Sequence, residues 1–432
     1  MHVLGLNRRS TNPVRLAVPG LLTIVLLATQ LFPVPALTDP VAGTAPSSLH
    51  LSTPRLYLLL APLFTLWDGI SMLSMTRLRG FLIGVAMLYV LWRVGRLVAG
   101  RHFSARRVLG ELGFLLVSIA LLLCFLLVGA LWHRPMISLS GVPTNQRVVD
   151  FHTHTAFSHD VGGTLMRGFD VPANLEWHRR AGFDAVFVTD HNTIEGVKGS
   201  REYPGLCPGV EVSAWKAHIV LLGDTLPVNR DPYSRSLPGL LELLSTSETT
   251  FGALTVASLP EYRRNHWNRL DTLITAGLDG FEIVNASPKA NEITRQERNR
   301  VVELARANNL FVVGVSDSHG WGATSMVWNL VEVAPGAQDQ EICRSILAQL
   351  RGGFPAVRVL ERHRLRPDDH WPSWLTPVGV VWATWRSMGL PLATSWLAWI
   401  WLLWGSAILL RTRRLRVKIA RTPSSGLPPL DH

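Results

Sequence analysis

Four separated stretches of the chain share one pattern, a short apolar run that ends in histidines or acids. They read VVDFHTH at residues 148–154, AVFVTDH at 185–191, GVE at 209–211 and FVVGVSDSH at 311–319. Residues two apart in an extended strand point to the same side, so His152 and His154 can reach one ion together. A lone His-x-His pair is more often incidental or structural, but four such strand ends are hard to obtain by accident. The pattern therefore predicts strands whose carboxyl ends converge on one metal centre.

These ends supply the candidate metal ligands. The residues are His152, His154, His159, Asp160, His191, Glu211, His218, Asp317 and His319. Imidazole and carboxylate together suit Zn, Mn or Fe, whereas three scattered cysteines do not make a structural thiol site. Asp150 and Asp190 adjoin ligand imidazoles, and we expect them to orient ligands rather than to bind the ions.

Between residue 148 and about residue 359 the sequence alternates β-rich runs with helical patterns. The predicted strands cover residues 148–151, 185–191, 209–212, 218–223, 253–257, 280–284, 310–315 and 327–333. The predicted helices cover residues 173–182, 240–244, 270–276, 292–308 and 340–350. Such alternation is typical of an α/β fold with a parallel, barrel-like sheet, whose carboxyl-end loops carry the chemistry.

Long apolar segments lie on both sides of this region. Residues 16–37, 113–132 and 390–410 contain no charged residue, and each is long enough to cross a bilayer as a helix. Two further candidates are residues 56–75, interrupted by Asp68, and residues 80–99, which carry Arg93 and Arg96. The first segment could be a signal peptide, but its length and its prolines favour a retained anchor.

We therefore expect three domains. Residues 1–140 form a membrane region with three to four transmembrane helices, and residues 141–370 form the α/β domain. Residues 371–432 hold one transmembrane helix, or a hairpin of two, and a basic tail.

The net charge of +11 is concentrated in the two flanks. Residues 1–140 hold 12 Lys and Arg against 3 Asp and Glu, and residues 371–432 hold 7 against 1. Basic residues beside apolar segments match anchoring in a lipid bilayer, so nucleic acid is an unlikely partner despite the sequence pI of 10.4.

Two orientations are open. Placing the arginines of residues 93–107 and of residues 411–418 in the cytoplasm puts the central domain outside it, provided that the N-terminus is outside or that residues 56–75 do not span. A hairpin over residues 375–410 would return the domain to the cytoplasm. The arginines favour an extracytoplasmic domain on an integral protein of a bacterial cytoplasmic membrane. Cys207 and Cys343 could pair there, although nothing in their spacing argues for it.

The four motifs resemble those of the PHP (polymerase and histidinol phosphatase) superfamily of metal-dependent hydrolases. The matching positions are Asp150-x-His152-x-His154, Thr189-Asp190-His191, Glu211 with His218, and Asp317-x-His319. The resemblance covers about half of the chain. It implies a distorted (β/α)7 barrel with two or three divalent ions, flanked here by transmembrane helices. Most members are phosphoesterases, and a branch that this chain resembles includes hydrolases of carbamate-type bonds.

Position by position, the resemblance implies three ion sites. The first would be held by His152, His154, Glu211 and Asp317. Glu211 would bridge to a second ion held by His218, and His191 and His319 would hold a third with His159 or Asp160. Glu211, Asp317 and His319 would take the catalytic roles. The family's middle strand usually ends in Ala-His-Pro, where this chain has Ala257-Ser258-Leu259-Pro260. The second ion would therefore lack an imidazole ligand. Either His266 takes that ligand position, or a water does, or the second site binds its ion weakly.

The implied activity is that of a membrane-anchored hydrolase, first of all a phosphoesterase that uses a metal-bridging hydroxide. A carbamate, ester or amide hydrolase is the nearest alternative, and a non-catalytic membrane sensor or scaffold with a degenerate site is another. The expected substrate is a small phosphate or carboxyl-type ester. Lys216, Arg263, Arg264 and His266 could bind its anionic group, although Lys216 and the two arginines could equally be solvated surface charges. His178 is expected to be a surface or packing residue.

Overall fold

The computed structural model describes residues 13–99, 105–199, 202–227, 229–333 and 341–420. Its strands are β1 (Leu37–Thr38), β2 (His50–Ser52), β3 (Ser138–Ser140), β4 (Gln146–Thr153), β5 (Ala185–Val188), β6 (Leu206–Ala214), β7 (Ala217–Leu222), β8 (Leu254–Ala257), β9 (Gly280–Asn285), β10 (Phe311–Val315), β11 (Val327–Glu332) and β12 (Val357–Arg362). Its α-helices are α1 (Pro13–Leu31), α2 (Arg55–Leu59), α3 (Ala61–Ser71), α4 (Met75–Ala99), α5 (Ala105–Leu131), α6 (His159–Gly162), α7 (Val171–Ala181), α8 (Asp231–Ser234), α9 (Leu237–Thr246), α10 (Leu259–Asn265), α11 (Leu270–Thr275), α12 (Arg295–Ala307), α13 (Ile342–Leu350), α14 (Thr376–Ser387) and α15 (Leu390–Ala420).

Ten strands form one curled, mixed sheet in the order β1-β12-β11-β4-β5-β6-β7-β8-β9-β10, and β2 pairs with β3 in a second sheet. Strands β4, β5 and β6 are parallel, as are β8, β9 and β10, and the other pairs are antiparallel. Only Trp215 and Lys216 separate β6 from β7, too few residues for a parallel crossover. The predicted α/β class is confirmed, but the sheet is not the uniformly parallel one that was predicted.

The side chain of Asn329 on β11 closes the curled sheet. Its Oδ1 accepts from the Gly314 N–H of β10 at 2.8 Å, and its Nδ2 donates to the Gly314 carbonyl at 2.6 Å and to the Val149 carbonyl of β4 at 2.8 Å. The Asn329 side-chain amide thus connects β11 to β10 and β4 through hydrogen bonds to their backbone. Beyond β10, Thr153 and Ser318 form a parallel bridge. The carboxyl ends of β4 and β10, which carry predicted ligands, are held side by side as a result.

The strands are buried on both faces, which explains their near-continuous apolar runs. Helix α7 packs against this sheet through Trp177 and Ala181, and the Trp328 indole of β11 donates to the Ala181 carbonyl at 2.8 Å. The helix begins where Asp170 accepts from the Ala173 N–H and ends at Gly182, which has a φ of 86°. Burial of each large apolar side chain contributes roughly 1.5–3 kcal/mol.

In the part of the chain that the structure describes, three helices are long and apolar enough to cross a membrane: Met75–Arg96 within α4, Leu109–Leu131 within α5 and Leu390–Leu410 within α15. They correspond to the predicted segments 80–99, 113–132 and 390–410. The apolar part of α1, Leu16–Leu31, is shorter. Helix α14 has 12 residues, about 18 Å, which is too short to cross, so residues 375–410 do not form a hairpin of two spans.

The candidate span 56–75 is wrong, and Asp68 is the reason. These residues fold into the short helices α2 and α3, and Asp68 lies in α3 with 1% of its surface exposed. Its carboxylate accepts from the Tyr57 hydroxyl at 2.7 Å, from Arg134 at 3.2 Å and from Arg362 of β12 at 2.8 Å. Burial alone would raise the pKa of Asp68, but the two guanidinium groups outweigh it and hold that pKa below its usual value. This charge cluster joins α2, α3 and the segment after α5 to the sheet.

Replacing Asn329 by Leu tests how the sheet closes. The variant leaves a buried N–H and two buried carbonyls without their partner, so we expect the free energy of unfolding to fall by about 2 kcal/mol or more. Chemical unfolding of the full-length protein in detergent measures this. Asn308→Leu, at an exposed helix end, is the control and should change stability by about 0.5 kcal/mol or less. Equal effects of the two variants would contradict the role given to Asn329.

Candidate metal centre

The Glu211 carboxylate on β6 is the centre of the site. Its Oε2 lies 3.2 Å from His152 Nε2, 3.4 Å from His154 Nε2 and 3.1 Å from His191 Nδ1. Its Oε1 lies 3.0 Å from His218 Nδ1. Glu211 itself is 2% exposed. A buried carboxylate that contacts four imidazoles brings together side chains contributed by three separate stretches of the sequence.

His152 and His154 follow one another along the same side of the chain where β4 ends. Their Nε2 atoms lie 3.0 Å apart, and both rings are buried. Asp317, just after β10, places its Oδ1 at 3.1 Å from His154 Nε2 and 3.6 Å from His152 Nε2. The Asp317 backbone has a φ of 44°, which non-glycine residues rarely adopt, and such conformations cluster at functional sites.

A second part of the centre surrounds Asp160. Its Oδ2 lies 2.8 Å from His319 Nε2 and 3.2 Å from His191 Nε2, while Ser158 Oγ donates to its Oδ1 at 2.6 Å. Of the two residues left open by the sequence, the structure therefore brings Asp160 to the cluster. His159 is exposed, with its ring centroid 5.1 Å from that of His191.

Among the described residues, three overlapping groups have ligand atoms within 4.8 Å of one another. They are His154 with Asp160, His191 and His319; His152 with His154 and Glu211; and His191 with Glu211 and His218. Every predicted ligand except His159 and Asp317 belongs to a group, and Asp317 contacts the second. Imidazoles and carboxylates that share members in this way fit a cluster of adjacent divalent cations. The assignment of each residue to a particular ion stays a prediction.

The electrostatic field of the cluster also favours cations. Burial alone would lower the pKa of His218 and of His319. At His218 the Glu211 carboxylate outweighs burial and raises the pKa to about 9. At His319 the carboxylates of Asp317 and Asp160 do the same, and that pKa also rises to about 9. His154 behaves differently, because burial and the neighbouring His319 charge lower its pKa to about 4. Burial would raise the pKa of Glu211, but the surrounding imidazoles hold it well below its usual value. A divalent cation would take the place of the shared protons.

Glu282 is a functional residue that the sequence analysis missed. It lies on β9 with none of its surface exposed, and its Oε1 contacts His152 Nδ1 at 2.7 Å. Its Oε2 accepts from the Leu259 N–H and from Asn285 Nδ2, each at 2.8 Å. The contact fixes the ring so that Nε2 faces the cluster. A single acid inside the otherwise apolar strand GFEIVN was the signal.

Asp150 and Asp190 contact the backbone that carries the ligands, and their predicted orienting role stays a prediction. Asp150 Oδ1 accepts from the Ser316 N–H at 3.1 Å and from the His152 N–H at 3.4 Å, so it ties β4 to the end of β10. Asp190 accepts from the Thr155 N–H at 2.6 Å and from its hydroxyl at 2.7 Å, and so fixes the loop after β4. Both acids hold backbone that carries ligands. The contact to a ligand ring on the side away from the cluster is made by Glu282, at His152 Nδ1.

His178 is fully buried in α7, with its Nε2 at 2.8 Å from Asp150 Oδ2. It is therefore a buried residue that fixes the position of the Asp150 carboxylate, which in turn connects β4 to the end of β10. The residue lies one helix away from the metal cluster, and its mid-helix position in the sequence gave no sign of this contact.

The position of the expected imidazole on β8 is occupied by Ser258. Its buried Oγ has no hydrogen-bond partner among the described residues. His266 does not reach the cluster; it is buried elsewhere, with its ring 5.6 Å from that of Trp215. Glu261, one turn further along in α10, instead brings its Oε2 to 3.7 Å from His218 Nδ1. A carboxylate thus lies where the sequence left a ligand missing.

The predicted substrate-binding cations lie apart from the main cavity. Arg263 pairs with Glu297 at 3.1 Å, and Arg264 is exposed. Lys216, with a φ of 59° in the turn between β6 and β7, lines a small side cavity with His218 and Glu261. The main cavity, about 560 Å³, is lined by cluster residues and by Lys289, its one Lys or Arg in the described part of the chain. Binding of a substrate anion by the predicted residues stays a prediction.

No family model and no curated protein matches this chain. A proposed metal-dependent phosphoesterase from Bifidobacterium adolescentis is similar at 19% identity over 40% of this chain and 88% of that one, with a TM-score of 0.30. PsfC from Pseudomonas syringae is similar at 16% identity over 56% and 97%, with a TM-score of 0.34. An amidohydrolase from Chromobacterium violaceum, with bound sulfate and no metal, is similar at 15% over 51% and 98%, with a TM-score of 0.30. Likeness at this level assigns neither family nor activity.

Replacing Glu282 by Gln tests the orientation of His152. The variant removes the charge behind the ring and places an amide where two donors point, so we expect the affinity for divalent metal to fall about 10- to 100-fold. Competition with a metal-sensitive dye measures this on the full-length protein. Glu176→Gln, on the surface of α7, is the control and should bind metal as the unmodified protein does. Unchanged affinity in Glu282→Gln would contradict the orienting role.

Proposed function

We propose that this chain is a membrane-anchored, metal-dependent hydrolase of the PHP type, and specifically a phosphoesterase. The observation that carries the proposal is the Glu211 carboxylate, which lies within 3.4 Å of four imidazole nitrogens. Its Oε2 contacts His152, His154 and His191 and its Oε1 contacts His218, so each oxygen has imidazole partners of its own and Glu211 would be able to bridge two ions. The order of the four motifs, which resembles that of the superfamily, supports the same conclusion.

The side chains of this chain have separable tasks in such a reaction. Glu211 would bridge two ions, and the nearby imidazoles and carboxylates would hold them at the floor of the cavity. Bound there, the ions would supply an activated water and a positive field for the phosphoryl oxygens. Glu282 and Asp150 keep the ligands in place, so little reorganisation is needed when substrate enters. Lys289, exposed at the cavity rim, would attract the anionic group.

Metal analysis and a substrate panel on the full-length protein test this proposal. We expect two or three divalent ions, of Zn, Mn or Fe, and hydrolysis of phosphomonoesters or phosphodiesters. His152→Ala should lose metal and lower kcat at least about 100-fold, because a ligand matters more than the groups that orient it. His50→Ala, an exposed imidazole on β2, is the control. Turnover of carbamates, carboxyl esters or amides alone would move the assignment to that class. Bound metal without any turnover would favour the sensor or scaffold.

The same proposal places the catalytic domain outside the cytoplasm. Helices α4, α5 and α15 each have one end at the domain, near Met75, Leu131 and Leu390. Their arginines lie toward the opposite ends, at positions 93 and 96 of α4, 106 and 107 of α5, and 411–416 of α15. Helix α1 runs beside α15 in the opposite direction. Trp401 of α15 donates to Thr23 at 3.1 Å, whereas Gln30, near the end of α1, donates at 2.7 Å to the carbonyl of Trp385 in α14, five residues before α15 begins. The basic N-terminal end of α1 therefore lies on the same side as those arginines.

Two further observations support this orientation. The extracytoplasmic orientation requires either an N-terminus outside the cytoplasm or that residues 56–75 do not span. Because residues 56–75 fold into two short helices, the second condition is met and every arginine cluster can be cytoplasmic. Cys207 and Cys343 form a disulfide between residues 136 apart, and disulfides persist in oxidising compartments. The positive-inside pattern and the cysteine chemistry thus favour the same side for the domain.

Reporter fusions measure the orientation. Green fluorescent protein fused after residue 432, or inserted within residues 100–104, should fluoresce, because both positions would be cytoplasmic. Alkaline phosphatase fused at Val142 should be active, because that position would be exported. An inactive phosphatase at Val142, together with stable expression of the fusion, would contradict an extracytoplasmic domain.

A further inference from the structure

The cavity above the metal cluster has two chemically different sides. Its floor is made by Asp160, His191, Glu211, His218, Asp317 and His319. The rest of the lining includes five apolar residues, here called the apolar wall: Met72, Ala130, Met166, Ala323 and Met326. A small charged substrate would use only the floor. The wall therefore points to a second, apolar part of the ligand.

Two residues of the apolar wall lie at or near the ends of candidate spans. Ala130 lies in α5, one residue before the span ends at Leu131, and Met72 lies three residues before the span that begins at Met75. Three residues of chain reach at most about 11 Å, so both residues are close to the apolar segments. The cavity is therefore located at the level where a bilayer would meet the domain.

The loop after β10 is attached directly to these helix ends. The Gly322 carbonyl accepts from Ser71 Oγ at 3.2 Å and from Arg134 at 3.3 Å, and a Cβ at Gly322 would lie only 2.9 Å from the Ala130 backbone. His319 lies three residues earlier in the same loop. The distance between the reacting groups and the membrane surface is thus fixed by packing.

The loop after β4 presents apolar side chains near the same surface. Leu165 is 76% exposed and Phe157 is 53% exposed, and Met166, next to Leu165 in the chain, lines the cavity. The loop reaches Trp321 through Phe169, with ring centroids 5.0 Å apart. Trp321 in turn contacts His133, just beyond α5, at 4.6 Å. Large exposed apolar side chains at this level fit insertion into the bilayer interface.

A second cavity continues beyond the apolar wall. It has a volume of about 370 Å³, lies against α14 and α15, and is lined in part by Leu58, Ile137 and Met388. Met72 lines both cavities and is the partition between them. Methionine is the most adaptable apolar side chain, so a hydrocarbon chain could pass it by a change of rotamer.

We propose that the substrate is an amphiphile of the membrane, a phosphoester headgroup carried on a hydrocarbon chain, which enters from the bilayer side. The inference rests on the proposed phosphoesterase function. The headgroup would lie between Lys289 and the metal cluster, and the chain would lie along Met72 and Met166. Each methylene buried on the wall raises affinity about fourfold, so chain length strongly selects the substrate.

Matched substrates with and without hydrocarbon chains test the inference. The metal-loaded full-length protein is given dioleoyl phosphatidic acid and glycerol 3-phosphate, then dioleoyl phosphatidylglycerol and glycerophosphoglycerol, in the same detergent. We expect kcat/KM to be at least about 100-fold higher for the lipid of one pair. Equal or better turnover of the soluble partner would overturn the inference and leave the phosphoesterase intact.

A binding measurement keeps the two proposals separate. A non-hydrolysable phosphonate analogue of phosphatidic acid and its short-chain form are titrated by tryptophan fluorescence. Preferential binding of the long-chain form without turnover of any ester would retain the amphiphile and overturn the hydrolase. Equal binding of the two forms would overturn the amphiphile.

Two variants locate the chain-binding wall. Met166→Gln and Met72→Gln should each lower the ratio of lipid to soluble turnover about tenfold, because a polar amide then faces the hydrocarbon. Met166 is half-buried, so its variant is expected to fold even if that at the buried Met72 does not. Met75→Gln, half-exposed at the start of α4 and outside the cavity lining, should leave both rates unchanged. An unchanged ratio in Met166→Gln would contradict the assigned wall.

Discussion

A single buried carboxylate, that of Glu211, sets the requirement that the rest of the molecule meets. A carboxylate with only 2% of its surface exposed is tolerated when hydrogen-bond donors or cations surround it, and four imidazoles lie within 3.4 Å of Glu211. Those imidazoles come from the end of β4, from the segment after β5 and from β7. The sheet must therefore curl, and the Asn329 amide and the Asp150 carboxylate hold it in that shape. The distances within the cluster therefore depend on the curvature of the sheet.

Much of the site could be predicted because its residues carry local signals. His152 and His154 share a side of one strand, and each ligand-bearing stretch follows an apolar run, so periodicity alone locates the strand ends. Glu282 and Glu261 gave weaker signals, because one acid inside a strand or a helix is also typical of ordinary surfaces. Their roles depend on what lies opposite in space, which no local pattern encodes. The contact between His178 and Asp150, 28 residues apart, is of the same kind.

The fold shows the same division between local and long-range information. The helices and most strands of the central domain were predicted from their periodicity. Their antiparallel pairing was not predicted, since it depends on contacts between strands such as β12 and β1, which are far apart in the sequence. Residues 56–75 have the length and apolarity of a span, yet Asp68 finds two arginines, one of them 294 residues away. In a hydropathy profile Asp68 is a charged residue that interrupts an apolar segment. In the structure it connects α3 to β12 through its contact with Arg362.

The pairing of Leu37–Thr38 with β12 has a consequence for how this protein is made. The first strand of the large sheet precedes two of the three candidate spans in the chain, and the last strand is synthesised just before the third. In the proposed membrane-anchored arrangement, the sheet would be completed only after both halves of the chain had reached the same side of the bilayer. Folding of the domain would then depend on membrane insertion, and a fragment that begins after α5 would lack β1, an edge strand of the sheet.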